Sequence, residues 1–229
     1  MASDLAAYED PSRYAAWLVD LDGTLYHARG LKCAMMAELV SCGVWHVPLL
    51  RTFRHEHERL RTLPPISATT PDTAQGIRMP TIGSSFTPNS PYAIQIERTA
   101  AASGQPLSRV QAVTTRWMIE RPLKWLPLFR RSDLIARLES YKARGGRLAL
   151  VSDYPAQRKL QALGCAHLFD VVVANGEPGG PPQLKPKPDG YLLAANKLGV
   201  PPEQCLIIGD RTDADGAAAD AAKMEFFKV

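Results

Sequence analysis

Long apolar runs are missing from this 229-residue chain. None approaches the ~20 residues that a membrane-crossing helix needs, so no membrane partner is expected. A basic-then-apolar leader is missing too, since Asp4, Glu9 and Asp10 mark the N-terminal segment, and a cytoplasmic location is the expectation. Cysteine is scarce and unpatterned. Cys33, Cys42, Cys165 and Cys205 show no C-x-x-C spacing, which suggests neither a zinc site nor a disulfide framework and suits reduced thiols. The net charge of +4 is mild, and basic residues are not interleaved with aromatics as on a nucleic-acid platform, so no nucleic-acid partner is expected. His55-Glu56-His57-Glu58 lacks the two histidines at i and i+4 of a zinc-protease helix and reads as solvated or half-buried side chains. The length is enough to bury a proper core, and one α/β domain with a smaller second one is the prior.

What the chain has is Asp20-Leu21-Asp22-Gly23-Thr24, directly after the apolar run Trp17-Leu18-Val19. The run reads as a buried parallel strand. Carboxylates two residues apart point to the same side of an extended chain, and Gly23 then permits a sharp turn. Ligands of open α/β sheets bind at the carboxyl ends of strands. Asp20 and Asp22 are therefore candidates for a nucleophile and a general acid/base. Taken alone, a D-x-D pair reads as well as acids that end a strand and start a turn.

Three further stretches follow in order. Arg147 to Val151 is a second apolar strand, ending at Ser152-Asp153, and Pro155 then opens a helix. That places Ser152 and the next amides at a helix N-terminus, a natural phosphate site. Leu184-Lys185-Pro186-Lys187-Pro188-Asp189 holds a lysine in a proline-stiffened loop before a helix, where a fixed cation offsets phosphoryl charge. Cys205-Leu206-Ile207-Ile208-Gly209-Asp210 is a third apolar strand ending in an acid, with Asp213 and Asp215 close behind. Hard oxygen ligands gathered with Asp20 suit Mg²⁺. Asp213 and Asp215 read equally as acids at the start of the last helix.

Together these stretches resemble the haloacid dehalogenase superfamily on its phosphatase side. The resemblance covers roughly residues 15–29 and 132–229 and does not extend into the middle third. It implies that Asp20 attacks phosphorus and forms an aspartyl-phosphate, and that Asp22 protonates the leaving oxygen and then activates water. It implies that Ser152 and neighbouring amides bind the phosphoryl oxygens, that Lys185 bridges Asp20 and phosphate, and that Mg²⁺ is held by Asp20, the Asp22 carbonyl and Asp210. Spacing favours Asp215 over Asp213 as the second acid of the last motif, and Lys185 over Lys187 as the motif lysine. Dehalogenases lack the residue at Asp22 and transporting ATPases carry Thr there, so Asp22 points to phosphatase or phosphomutase chemistry. Gly23, Thr24 and Asp153 are expected beside the substrate. Tyr26 and His27, at the hinge after the nucleophile loop, depart from the acid–Ser/Thr pair frequent in relatives and are expected to line the substrate pocket.

The fold expected is α/β, a doubly wound Rossmann-like parallel sheet with an inserted, mainly α-helical cap. Residues 1–29 and 132–229 form the core and 30–131 the cap. Core helices are expected at Asp133–Arg144 (capped by Ser132), Pro155–Leu163 and Tyr191–Leu198. Further strands are expected at Phe169–Ala174, with Val171, Val172 and Val173 fully buried, and at Glu225–Val229. Cap helices are expected at Leu31–Leu39, at Val47–Leu63, at Tyr92–Ser103, and from an N-cap at Ser108 to Arg121. In the second, Leu50, Phe53, His57 and Leu60 share one face and Arg51, Arg54 and Arg61 another. Residues 62–91 are rich in Pro, Ser and Thr and read as a disordered surface loop or, given Ile66, Ile77, Met79, Ile82 and Phe86, a flap that closes over substrate. The cap's many arginines read as solvated helix faces or as a positive funnel for an anion. The function expected is a Mg²⁺-dependent phosphomonoester phosphatase acting on a small anionic phosphorylated substrate, as a monomer or homodimer. A sugar-phosphate mutase with the same catalytic set and a catalytically silent binding protein on this fold stand as alternatives.

Overall fold

A computed structural model describes residues 5–62, 87 and 89–229. Five parallel strands form one sheet: β1 (Ala16–Asp20), β2 (Arg147–Ser152), β3 (Val171–Ala174), β4 (Cys205–Gly209) and β5 (Glu225–Lys228), in the order β3-β2-β1-β4-β5. The register pairs Val19 with Leu150 on one side and with Ile208 on the other. β1 is therefore central, which explains why its five residues are all buried.

Alternate residues of the central strands feed two apolar layers. On one face Trp17, Val19, Leu150 and Ile208 pack against α6 (Ser132–Ala143) and α7 (Gln157–Leu163) through Ile135, Leu138, Tyr141 and Leu160. The Trp17 and Tyr141 rings stack with centroids 3.9 Å apart. On the other face Leu18, Ala149, Val151 and Ile207 pack against α8 (Asp189–Leu198) and α9 (Ala217–Ala222) through Tyr191, Ala194, Ala195 and Ala218. Small alanines let these two helices lie close to the sheet.

Between β1 and β2 the described chain is helical: α1 (Ala28–Cys42), α2 (Val47–Thr62), α3 (Pro91–Ser103), α4 (Leu107–Thr114) running into a π-turn (Thr115–Glu120), and α5 (Arg121–Leu123). A separate apolar cluster of Leu49, Phe53, Tyr92, Ile96, Val110 and Trp117 joins α2, α3 and α4 to the π-turn. Tyr154, from the loop after β2, packs against it. The two linkers to this insertion run side by side. His27 N donates to Phe129 O at 2.8 Å and Arg131 N to Leu25 O at 2.9 Å, so the helices hang from a two-stranded hinge three residues beyond Asp22. Among the described residues no single helix is long and apolar enough to cross a membrane.

Several local expectations need correction. Ser132 is the first residue of α6 rather than its cap, and Pro106, not Ser108, precedes α4. A hydroxyl residue near a helix start marks the start only to within a residue or two. Val171 and Val172 are half-buried, because β3 is an edge strand. The helix after β2 begins at Gln157, not at Pro155. In α2 Arg61 is buried with Phe53 and His57, and Glu56 is buried too. The expected loop over 62–91, with its apolar residues, lies almost wholly outside the described residues.

Candidate active site

Asp20 stands at the carboxyl end of the central strand, 7% exposed. Its Oδ2 accepts a hydrogen bond from the Thr24 hydroxyl at 2.9 Å, and its Oδ1 forms an ion pair with Lys185 Nζ. Lys185 is as buried as Asp20 and also donates to Asp215 Oδ1 at 2.8 Å and to the Val151 carbonyl at 3.2 Å. All three donor positions of the ammonium are thus engaged. Asp215 Oδ1 takes a further hydrogen bond from the Tyr191 hydroxyl at 2.8 Å.

The loop carrying Lys185 is held from two sides. Its backbone N–H donates to Asp153 Oδ1 at 3.1 Å, and its carbonyl accepts from Arg61 Nε of α2 at 2.6 Å. Asn175, fully buried after β3, accepts from Tyr92 N at the start of α3 and donates to the Asp153 carbonyl at 3.1 Å. His57 of α2 stacks on Tyr154 with centroids 4.6 Å apart.

Asp210 directly follows β4. Its buried Oδ1 has no hydrogen-bond partner among the described residues. One oxygen from each of Asp20, Asp210 and Asp215 lies within 4.8 Å of the others. Burial pushes the Asp20 carboxyl up against the pull of Lys185, with Asp215 and Asp22 adding to the rise. Burial and then Asp215 raise Asp210 as well. Burial works against the Lys185 charge, but Asp20 leads the anions that hold its pKa well above the ordinary value. Three carboxylates around one ammonium leave an excess of negative charge. With an orphaned carboxylate oxygen and a donor set of hard oxygens only, the cluster fits a Mg²⁺-like cation.

Two glycines make this crowding possible. Gly23 has φ +101°, and a Cβ there would lie 2.2 Å from Asp210 Oδ2. A Cβ on Gly209 would lie 2.5 Å from the Asp215 carboxyl carbon.

Asp22 sits apart from the three-acid cluster. Lys159 Nζ and the Tyr26 hydroxyl both reach its Oδ1, each at 2.5 Å. Burial raises the Asp22 carboxyl, but the Lys159 ammonium, the Tyr26 hydroxyl and Lys185 together leave the group below its ordinary value. His27 is exposed. Asp213 is an exposed acid paired with Arg211, so of the two acids after Asp210 the cluster takes in Asp215.

Ser152 ends β2, and its Oγ accepts from Tyr154 N at 3.2 Å. The helix amides expected behind it are taken. Ala156 N and Gln157 N both donate to Glu177 Oε1, at 2.8 and 2.9 Å. The anion at the start of α7 is thus a side chain of the protein.

The family model of haloacid dehalogenase-like hydrolases matches residues 14–223. The chain belongs to this family. Among curated relatives of this hydrolase, a glyceraldehyde 3-phosphate phosphatase of Methanopyrus kandleri is 37% identical over 100 residues, 42% of each chain. A fructose-1-phosphate phosphatase of Escherichia coli is 41% identical over 74 residues, 32% of this chain and 37% of the relative. The chain thus spans less than half the length of either relative. A β-phosphoglucomutase structure from Clostridium difficile aligns over 93% of this chain and 83% of its own, with TM-score 0.56 and 16% identity, which establishes the shared fold.

Nothing local in the hydrolase's sequence points to Lys159, Tyr191 or Arg61. Lys159 lies in an ordinary amphipathic stretch, Tyr191 reads as a core aromatic, and Arg61 reads as a solvated arginine. Their partners are 137, 24 and 124 residues away along the chain.

Proposed function

We propose that this hydrolase is a Mg²⁺-dependent phosphomonoester phosphatase that works through an aspartyl-phosphate on a small phosphorylated metabolite. The reading is carried by one observation: buried Asp20 is ion-paired with Lys185 and backed by two further carboxylates, with Asp22 two residues on. Phosphoryl transfer needs chiefly in-line positioning and charge neutralisation.

In this reading an Asp20 oxygen attacks phosphorus as the bond to the substrate's alkoxy oxygen breaks. Asp22 gives that oxygen its proton. Asp22 then takes a proton from water, which attacks the aspartyl-phosphate, releases inorganic phosphate and restores the Asp20 carboxylate. Lys185 holds Asp20 and offsets charge on the phosphoryl group. Thr24 and Asp153, already bonded to Asp20 and to the Lys185 backbone, position those two groups. The Ser152 hydroxyl, rather than the first amides of α7, is the phosphoryl donor this reading relies on. Mg²⁺ would be held by Asp20, Asp210 and the Asp22 carbonyl with Asp215 beside them, and would lessen the repulsion between anionic nucleophile and anionic substrate.

Residues 30–131 serve as the cap that selects substrate over a core of 1–29 and 132–229, with Tyr26 and His27 flanking the substrate at the hinge. Relatives named for glyceraldehyde 3-phosphate and fructose 1-phosphate support a small sugar-phosphate class. The test is phosphate release from a panel of phosphomonoesters, with Mg²⁺ and with EDTA, for wild type and Asp20→Asn. The expected result is metal-dependent release that falls at least ~10³-fold in Asp20→Asn. No release from any ester, activated aryl phosphates included, would overturn it.

A further inference from the structure

Lys159 is a buried cation that the family motifs do not call for. It belongs to the first turn of α7 and is 6% exposed. Burying an ammonium is costly unless a partner offsets the lost hydration, and a hydrocarbon side chain would fill the same space more cheaply. Its Nζ pairs with Asp22 Oδ1 at 2.5 Å and lies over the Tyr154 ring, 5.8 Å from the centroid. Tyr26 approaches the same oxygen from the hinge. Two elements far apart in sequence therefore converge on one oxygen of one carboxylate, and neither contact uses Oδ2.

We propose that Lys159, together with Tyr26, is a positioning pair that fixes the side-chain rotamer of Asp22 and reserves Oδ2 for proton transfer to the leaving group. The proposal rests on the phosphatase reading of Asp22. The logic is geometric: the Lys159 ammonium favours the ionised form of Asp22, so what it supplies to the proton transfer is aim and not acidity. An aspartate side chain at the edge of a cap hinge rotates freely unless held, and a general acid works only within hydrogen-bond reach of the atom it protonates. Two donors on Oδ1 fix both χ angles and turn Oδ2 the other way. One donor comes from the hinge and one from the core, so the carboxylate keeps its aim only when the cap linker and α7 are both in place. Tyr26 itself belongs to the hinge, bridged to Arg130, and its hydroxyl does the holding.

The experiment compares kcat/KM for esters graded by leaving group, from p-nitrophenyl phosphate to glycerol phosphate, at saturating Mg²⁺. This constant reports the steps through phosphoenzyme formation. An aryl oxide leaves without a proton and an alkoxide does not, so loss of a well-aimed acid falls on the alkyl ester. Wild type, Asp22→Asn, Lys159→Met and Tyr26→Phe are measured, with melting curves to establish folding. Lys159→Met should lose at least about tenfold more on glycerol phosphate than on p-nitrophenyl phosphate, as a fraction of the 10²–10⁴ that general acid catalysis supplies. Tyr26→Phe, which keeps the ring and removes only the hydroxyl, should lose in the same direction by a smaller factor; it decides the matter alone if Lys159→Met does not fold. Equal losses on both esters in these two variants, with Asp22→Asn selective, would overturn the positioning role and leave the phosphatase reading standing. Equal losses in Asp22→Asn as well would overturn both.

Discussion

Arg61 Nε donates to the backbone carbonyl of Lys185 over 2.6 Å, which ties a helix of the insertion to the loop that carries the buried lysine of the active site. Arg61 also pairs with Glu58 one turn earlier at 3.2 Å, so its guanidinium arrives already oriented. The position of Lys185 is thus sensed by α2.

Removal of that donor strands a buried carbonyl. Arg61→Met should destabilise the fold by ~2 kcal/mol, the usual size for a hydrogen bond from a charged donor. It should also lower kcat/KM as the Lys185 loop loosens. Urea unfolding and steady-state kinetics on the same preparation check both. Unchanged kinetics in a destabilised variant would confine Arg61 to holding the fold.

Gly23→Ala is expected to fail at the metal-fitting cluster rather than in the core. The new methyl group meets Asp210 Oδ2, and the backbone sits at a φ that alanine rarely adopts. Mg²⁺ should bind at least about tenfold more weakly in this variant. The half-saturating Mg²⁺ concentration for phosphate release measures it, and a wild-type value would refute the crowding argument.

The two acids after Asp210 should separate sharply. Asp213 is an exposed partner of Arg211, and Asp213→Asn should shift stability by no more than ~0.5 kcal/mol and leave activity intact. Asp215 is buried and holds Lys185, Tyr191 and the Arg211 backbone N–H. Asp215→Asn should cost more than about tenfold in kcat/KM and lower the melting temperature.

His57 gives the fold an acid-sensitive element. Burial lowers its pKa below the ordinary 6.5, in spite of Asp153 and Gln95, which favour the charged form. Below 6.5 the unfolded chain therefore binds the proton more readily than the folded one. This stability is complete above 6.5 and is lost as pH falls from there towards the folded value. Urea midpoints at pH 7.5 and 5.5 should differ more for wild type than for His57→Phe, which keeps a ring against Tyr154. Equal differences would exclude His57 as the source.

Much of the core was legible because buried parallel strands are continuous apolar runs, and its acids lie at strand ends, where an open sheet collects its chemistry. Asp20 and Asp210 announce themselves in that way, whereas Asp215 lies in the helical turn after β4 and is marked only by its spacing from Asp210. The readings around the site that fell short share a cause, which is that they depend on partners remote in sequence. Arg61 looks solvated until the Lys185 carbonyl is placed against it. The amides at the start of α7 look open to phosphate until Glu177, about 20 residues on, supplies its carboxylate. Lys159 carries no local mark at all, since only the fold brings it to Asp22.

The central position of β1 has a temporal consequence. Its hydrogen-bonding neighbours start at Arg147 and Cys205, and Asp20 finds Lys185 only across 165 residues of chain. A ribosome therefore releases the strand that ends at Asp20 well before its neighbours, as an apolar segment with both edges unpaired, and the whole helical insertion must be translated before either edge is covered. Such long-range closure is slow and leaves an aggregation-prone interval. Asp20 lacks its ion-pair partner throughout that interval, because Lys185 is made after β1, β2 and β3. The buried Asp20–Lys185 pair is thus a late product of folding, assembled only after the sheet has begun to close around β1.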